Sequence, residues 1–203
     1  MKCLHLPKDR GGLSLPNLKN YYWAAQINAI VAWIGNDRET IWTRIEQDSV
    51  KGVPLSILPF IDTKSIKKIK IKNECIKHTI RTTVKKRLVG PESISRAMLI
   101  VGNIEFPPSR WDMGFRRWAD KGLCTINQLF TGTEFKSFSQ LQDQFNLPSN
   151  DLYRYFQIRH YITSHKERDL ISKNPNEIEE YFISVIEKNF PTKNTYLIYT
   201  KGW

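Results

Sequence analysis

Between residues 18 and 34 the run LKNYYWAAQINAIVAWI is apolar on nearly every side of a helical projection, with Gln26 and Asn28 the only polar residues past Asn20. A helix with so little polar surface has to be buried on most sides. Asn17 is placed to cap it, and Gly35 with Asn36 can end it in a left-handed position. Asp37 then caps a second predicted helix, in which Ile41, Trp42 and Ile45 form an apolar stripe. Before all of this, Pro7, Gly11, Gly12 and Pro16 interrupt the apolar residues as an irregular or short extended segment would.

The pattern breaks at Gly52, Pro54 and Pro59, which predicts a linker over residues 49–63. Beyond it Ile69, Ile76, Ile80, Val84 and Leu88 recur at helical intervals, so a helix there would bury one side and turn Lys72, Lys77, Arg81, Lys85 and Lys86 largely elsewhere. The earlier piece IKKIKIK alternates instead, and its period fits an extended segment as well as a helix. Gly90, Pro91, Gly102, Pro107 and Pro108 mark a second loop-rich stretch, residues 89–110, with a short apolar piece at residues 97–101.

Helix signals then return. Phe115, Trp118 and Ala119 lead to Lys121 and Gly122, a glycine-terminated helix end, and Thr125 can start a short helix through Leu129. Ser139 can cap a helix holding Leu141 and Phe145 that stops before Pro148, and Asn150 one holding Leu152, Tyr155, Phe156 and Arg159. Asn174 followed by Pro175 starts the last, with Ile178, Tyr181, Phe182, Val185 and Ile186 as its buried face. The predicted fold class is all-α, an array of short helices in one or two small lobes with irregular linkers. Its parts are a helical segment at residues 1–48, a linker and basic segment at 49–110, and a C-terminal helical region at 111–203.

Composition narrows the picture. A chain of 203 residues that is 40% hydrophobic and 12% aromatic packs a core and is not a disordered tail. Cys3, Cys75 and Cys124 are widely spaced with no CxxC, which indicates neither a disulfide framework nor a zinc module and fits a reducing compartment. Pro7 and the early charges break up any signal peptide, and no run approaches the roughly 18 apolar residues of a membrane span. The expected location is intracellular, nuclear or cytoplasmic, with no membrane partner.

Charge changes the picture more. Residues 64–87 hold eight Lys and two Arg against Glu74 alone, a surplus of nine within a chain whose formal net charge is +11. This is a patch, not a general bias. Cations that neutralise phosphates release condensed counterions, which gives affinity without sequence reading. The candidate contact residues are Lys67, Lys68, Lys70, Lys72, Lys77, Arg81, Lys85, Lys86 and Arg87, and the expected partner is RNA or DNA, bound independently of sequence. A solvated helix face, or a nuclear-import signal around residues 85–87, would use the same residues. Tyr153, Arg154, Tyr155, Arg159 and Tyr161 also interleave aromatic and cationic groups, as single-strand stacking surfaces do. The helical pattern assigns Tyr155 and Phe156 to a core and leaves Arg154, Tyr161 and Tyr153 exposed.

No catalytic constellation emerges from the rest. His5, His78, His160 and His165 lack metal-ligand spacing, the last two being one residue too far apart to share a helix face, and they read as surface or interface residues. There is no GxSxG, GxxxxGK[ST] or GxGxxG, so the Gly11–Gly12 pair reads as a turn. Asp112, Asp120, Glu177, Glu179 and Glu180 read as cap and solvent-face charges. No cofactor and no metal are expected.

The run PKDRGGLSLPNLKNYYWAAQINAIVAWI and the later WTRIE resemble the segment that follows the reverse-transcriptase core in LINE-type (non-LTR) retrotransposon polyproteins of vertebrates. The features that carry it are Gly11, Gly12, Leu13, Pro16, Tyr21, Tyr22, Ala24, Ala25, Trp33, Trp42, Ile45 and Glu46. Residues 106–162, with Phe115, Trp118, Gly122, Ile126, Phe138, Leu141, Tyr155 and Arg159, resemble the downstream helical region of the same proteins, in the same order. Polymerases of that family clamp two metal ions with adjacent aspartates, and no Asp-Asp pair occurs here. The resemblance therefore implies a detached C-terminal, post-polymerase piece that helps hold template RNA and target DNA and is not an enzyme. Two other readings stay open. One is an interaction scaffold whose helices normally pack on a polymerase thumb, with self-association through the helix Leu18–Ile34; the other is a decayed reading frame without a selected role.

Overall fold

A computed structural model describes residues 9, 18–34, 41–61, 63–86, 94–164, 174–175 and 177–188. The caps assigned to Asn17 and Asp37, the turn at Gly11–Gly12, the helix end at Gly35–Asn36, His5, His165, Arg87, Leu88 and the last residues of the chain lie outside them. The fold is mostly α, with one two-stranded hairpin. Its helices are α1 (Leu18–Ile34), α2 (Ile41–Asp48), α3 (Thr63–Lys68), α4 (Glu74–Lys86), α5 (Pro108–Trp111), α6 (Met113–Asp120), α7 (Phe138–Phe145), α8 (Leu152–Ser164) and α9 (Glu177–Lys188). Strands β1 (Phe130–Thr131) and β2 (Glu134–Phe135) pair antiparallel around Gly132, whose φ of 59° the turn requires. This hairpin interrupts the predicted helical array.

One contiguous hydrophobic core runs from Ile27 to Val185. Helix α1 contributes Ala24, Ile27, Ile30, Val31 and Ile34, spaced three or four apart, together with Trp33. Its first turns are less enclosed than the sequence suggested: Leu18 and Tyr21 are exposed and Tyr22 partly so. The stretch 49–63, read as a linker, is a structural centre. Leu55–Phe60 forms a buried 3-10 turn that packs on α1 and α4, and Phe60 meets Phe182 of α9 edge to face. Pro54 and Pro59 end regular helix without sending the chain to the surface, since the neighbouring Val53, Leu55, Ile57 and Leu58 are apolar enough to draw the turn inward.

The loop-rich segment after residue 89 behaves similarly. Ile94, Ala97, Met98 and Ile100 are buried, and their backbone pairs with a second irregular piece: Ile100 N donates to Cys124 O, Ile126 N to Met98 O and Asn127 N to Arg96 O. Buried loop backbone needs such partners.

Helix starts differ in detail from the sequence reading. Ser137, not Ser139, caps α7, in a reciprocal box with Gln140. A 3-10 turn, Ser149–Asp151, stands before α8, so Asn150 lies within that turn and does not cap the helix. At Thr125 the Gln128 side chain supplies the acceptor for the backbone N–H groups of residues 124 and 125, while the Thr125 hydroxyl donates to Glu187.

Helix α2 is inverted relative to expectation. Ile41 and Ile45 are 75% and 63% exposed and Trp42 is also exposed, whereas Thr43 is buried and Glu46 and Gln47 face inward. Glu46 accepts from the indole of Trp33 at 2.8 Å, and Gln47 bonds the backbone of Val50, Val53 and Leu55. Burial raises the Glu46 carboxyl above the ordinary range, with the indole bond opposing it. The polar side of this helix ties down the irregular chain that follows it, and this work outweighs burial of three apolar side chains. Glu179 departs in the same way. It is buried on α9, three residues before Phe182 and on the same face, and accepts from Ser95 at 2.7 Å. Glu177 and Glu180 are exposed, as read.

Candidate nucleic-acid interface

The alternating IKKIKIK run takes both of its possible forms. Its first residues finish α3, and the rest is extended, with Ile71 bridged antiparallel to Val50 and Lys72 N donating to Ser49 O at 3.2 Å. Ile71 points inward and is buried, so Lys70 and Lys72 on either side of it fall on the opposite, solvent side. Asn73 then starts α4, its side chain accepting from Cys75 N at 2.8 Å, and Glu74 in the first turn suits the positive end of the helix.

Helix α4 buries Ile76, Thr79, Ile80 and Thr82 against α1. Thr79 donates to Gln26 at 2.8 Å, and His78 bonds the Tyr22 hydroxyl, which makes it an interface residue as expected. The outer line of the helix carries Glu74, Lys77 and Arg81 at helical spacing. Across from it stand Ile66 and Lys67 of α3. Together Lys67, Lys77 and Arg81 rim a depression of about 300 Å³ floored by Ile66, Ile69, Ile71 and Ile80. Lys68, Lys70 and Lys72 are exposed nearby but do not line it. Lys85 and Lys86 belong to the last turn of α4, with side chains outside the described residues, as is Arg87.

One of these cations, Lys77, has an acidic neighbour. Glu74 is the acid of this segment; it pairs with Lys77 at 2.6 Å, which lowers its own carboxyl below the usual range. Among the described residues, Lys67, Lys68, Lys70, Lys72 and Arg81 make no ion pair.

The aromatic–cationic candidate of α8 is rearranged. Tyr155 is buried as read, but Phe156 is exposed and Tyr161 buried, packed beside Phe106. Arg154 is not a free surface cation. It donates from Nε and Nη2 to both Asp112 oxygens at 2.8 Å and from Nη1 to Asp151, whose other oxygen accepts the indole N–H of the buried Trp118. These bonds hold Asp112 below and Arg154 above their ordinary values. Asp112 also caps α6 through Gly114 N, as its sequence position suggested. The large apolar side chains left outside on α8 and the start of α6 include Trp111, Met113, Leu152, Tyr153 and Phe156, with Trp111 and Tyr153 the most exposed. Trp111 stands four residues before Phe115 and seven before Trp118, a spacing that suggests a shared buried face, but the break between α5 and α6 at Asp112 leaves it outside.

A larger cleft of about 670 Å³ lies between α2 and α6, with Trp33, Arg44, Asp48, Arg116 and Asp120 on its walls. Its two arginines are matched by two aspartates at one-turn spacing, giving a mixed lining without a dominant charge. Among the described residues no group of three His, Cys, Asp or Glu could hold a metal ion, and no helix is long and apolar enough to cross a membrane.

Fold and site together define a mostly helical protein with a concentrated cationic face. No protein family, curated protein or solved structure matches the chain.

Proposed function

We propose that the chain is a non-catalytic nucleic-acid-binding piece of a LINE-type retrotransposon polyprotein, holding RNA or DNA through phosphate contacts made by its basic segment. The observation that carries the binding is the convergence of Lys67, Lys77 and Arg81 on one depression, with Lys68, Lys70 and Lys72 exposed beside it and Glu74 the acid within the segment. Two ammonium groups and a guanidinium around an aliphatic floor attract a polyanion through its phosphates without reading bases. The retrotransposon kinship rests on the resemblance of residues 7–46 and 106–162.

A filter-binding titration of the whole chain with single- and double-stranded RNA and DNA tests the reading. With four to six phosphate contacts, log affinity should fall against log salt with a slope of about −4 to −5. No retention at about 50 mM salt, or retention indifferent to salt, rejects it. One observation favours a second reading, an interaction scaffold: the outward Ile41, Trp42 and Ile45 stripe of α2. Light scattering separates them, because a monomer that retains RNA fits the first and an oligomer indifferent to nucleic acid fits the second.

A further inference from the structure

Trp111 and Tyr153 are 79% and 70% exposed, yet their mounting is stiff. Trp111 immediately precedes Asp112 and Tyr153 immediately precedes Arg154, and the two-pronged Asp112–Arg154 bond draws the start of α6 against the first turn of α8. Behind that bond stand Asp151 and the wholly buried Trp118. Two large rings are thus held in water by a structure whose core does not need them.

Their surroundings are cationic. The Arg110 guanidinium lies 5.6 Å from the centroid of the Trp111 ring, and the exposure of that ring leaves its other face open. Arg117 extends the outer line of α6 from Met113 at four-residue spacing, while Asp112 is occupied by Arg154 and Arg116 stands one turn before Asp120 at the cleft. The connection to the basic segment is short. Arg110 reaches Gly52 O at 3.4 Å and Lys72 N bonds Ser49 O, so both regions are anchored on residues 49–52. Three peptide units separate those anchors, at most about 11 Å of chain.

We propose that Trp111 and Tyr153 form a ledge on which unpaired bases stack, so that the preferred ligand is a single strand whose phosphates run across residues 49–52 to Lys70, Lys72 and the basic depression. This rests on the nucleic-acid reading above and adds to it the class of ligand. Ring faces beside arginines suit bases of any identity, because every base has a π-face, and a duplex keeps those faces stacked inside. The surrounding positive charge selects a polyanion over a neutral apolar partner.

The test compares the whole chain with W111A/Y153A, W111F/Y153F and K67A/K77A/R81A. Binding of a labelled uridine homopolymer of about 12 nucleotides, and of an RNA duplex of similar length, is followed by anisotropy. Stacking of one base on an aromatic ring changes affinity by between about fivefold and a hundredfold. W111A/Y153A should therefore weaken the single strand at least about tenfold and leave the duplex unchanged, W111F/Y153F should restore it, and the lysine–arginine variant should weaken both. An unchanged thermal midpoint shows that the exposed substitutions leave the fold intact. If the alanine pair binds the single strand like the unaltered chain, the ledge is wrong and the phosphate reading stands; if the unaltered chain binds neither ligand, that reading falls and the ledge with it. A self-association abolished by W111A/Y153A without effect on the single strand assigns the rings to a protein interface and also overturns the proposal.

Discussion

Helices α4 and α8 are each 13 residues long, but Arg81 on the first and Arg154 on the second do opposite things. Arg81 on α4 stands in solvent at the rim of a depression shared with Lys67 and Lys77. Arg154 on α8 is bound between two aspartates, one 42 residues away in the chain, and serves as a brace. Local spacing cannot separate the cases. The difference is the company each cation keeps: the basic segment contains Glu74 as its acid, whereas Arg154 has Asp151 three residues before it and the fold delivers Asp112 as well. Where acids are scarce, positive charge stays available to a ligand; where the fold supplies them, it becomes architecture.

Breaking the brace should have the largest effect on stability. Arg154→Ala leaves the Asp151 carboxylate, 1% exposed, without its cation, and should cost about 3 to 5 kcal/mol in thermal unfolding. Arg81→Ala should stay within about 0.5 kcal/mol. Equal losses in the two variants would remove the contrast.

A subtler break leaves every charge in place. At Gly114 an added Cβ would lie 1.8 Å from Arg154 Nε, so Gly114→Ala must push the guanidinium off Asp112. A cost of about 1 to 3 kcal/mol is expected in denaturant melts, below that of Arg154→Ala. Gly114→Ala with an unchanged midpoint would show that the brace tolerates displacement.

Acid sharpens the comparison further. The Asp112 carboxyl is held below its unfolded value chiefly by its hydrogen bonds to Arg154. The unfolded chain therefore binds the extra proton, and the stability gained is complete above about pH 4 and disappears as pH falls through the lowered folded value. Melting midpoints recorded downward from about pH 5 should decline more steeply for the unaltered chain than for Arg154→Ala. Parallel declines would place the acid sensitivity elsewhere.

The smallest effect is expected on α2. Ile45→Lys should shift stability by no more than about 0.5 kcal/mol, since the side chain is 63% exposed. A loss of about 2 kcal/mol or more would mean that this stripe is covered after all.

Much of the helical layout was legible in the residues. The span of α1 and the apolar face of α9 at Phe182 and Val185 follow from apolar spacing, and the end of α6 from its glycine signal at Gly122. The concentration of cations before and within α4 was equally plain. The prolines misled, because Pro54 and Pro59 stop an α-helix without saying whether the chain then leaves the core. The stripe at Ile41, Trp42 and Ile45 misled for a related reason: periodicity identifies a face, not the direction it looks. On α8, Phe156 and Tyr161 exchanged places relative to expectation, since both lie near the edge of a wide apolar sector and distant partners, Phe106 and Met98 among them, cover Tyr161.

Residue spacing along the chain determined where helices form and that one segment carries nearly all the surplus charge, because both depend on neighbours a few positions apart. Only tertiary structure decided that Arg154 braces while Arg81 stays free, that residues 55–61 fill the centre, and that Trp111 and Tyr153 flank one ion pair. Those outcomes depend on partners tens of residues distant, such as Asp112 for Arg154 and Gln26 for Thr79, whose meeting is set by how apolar faces fill a common core.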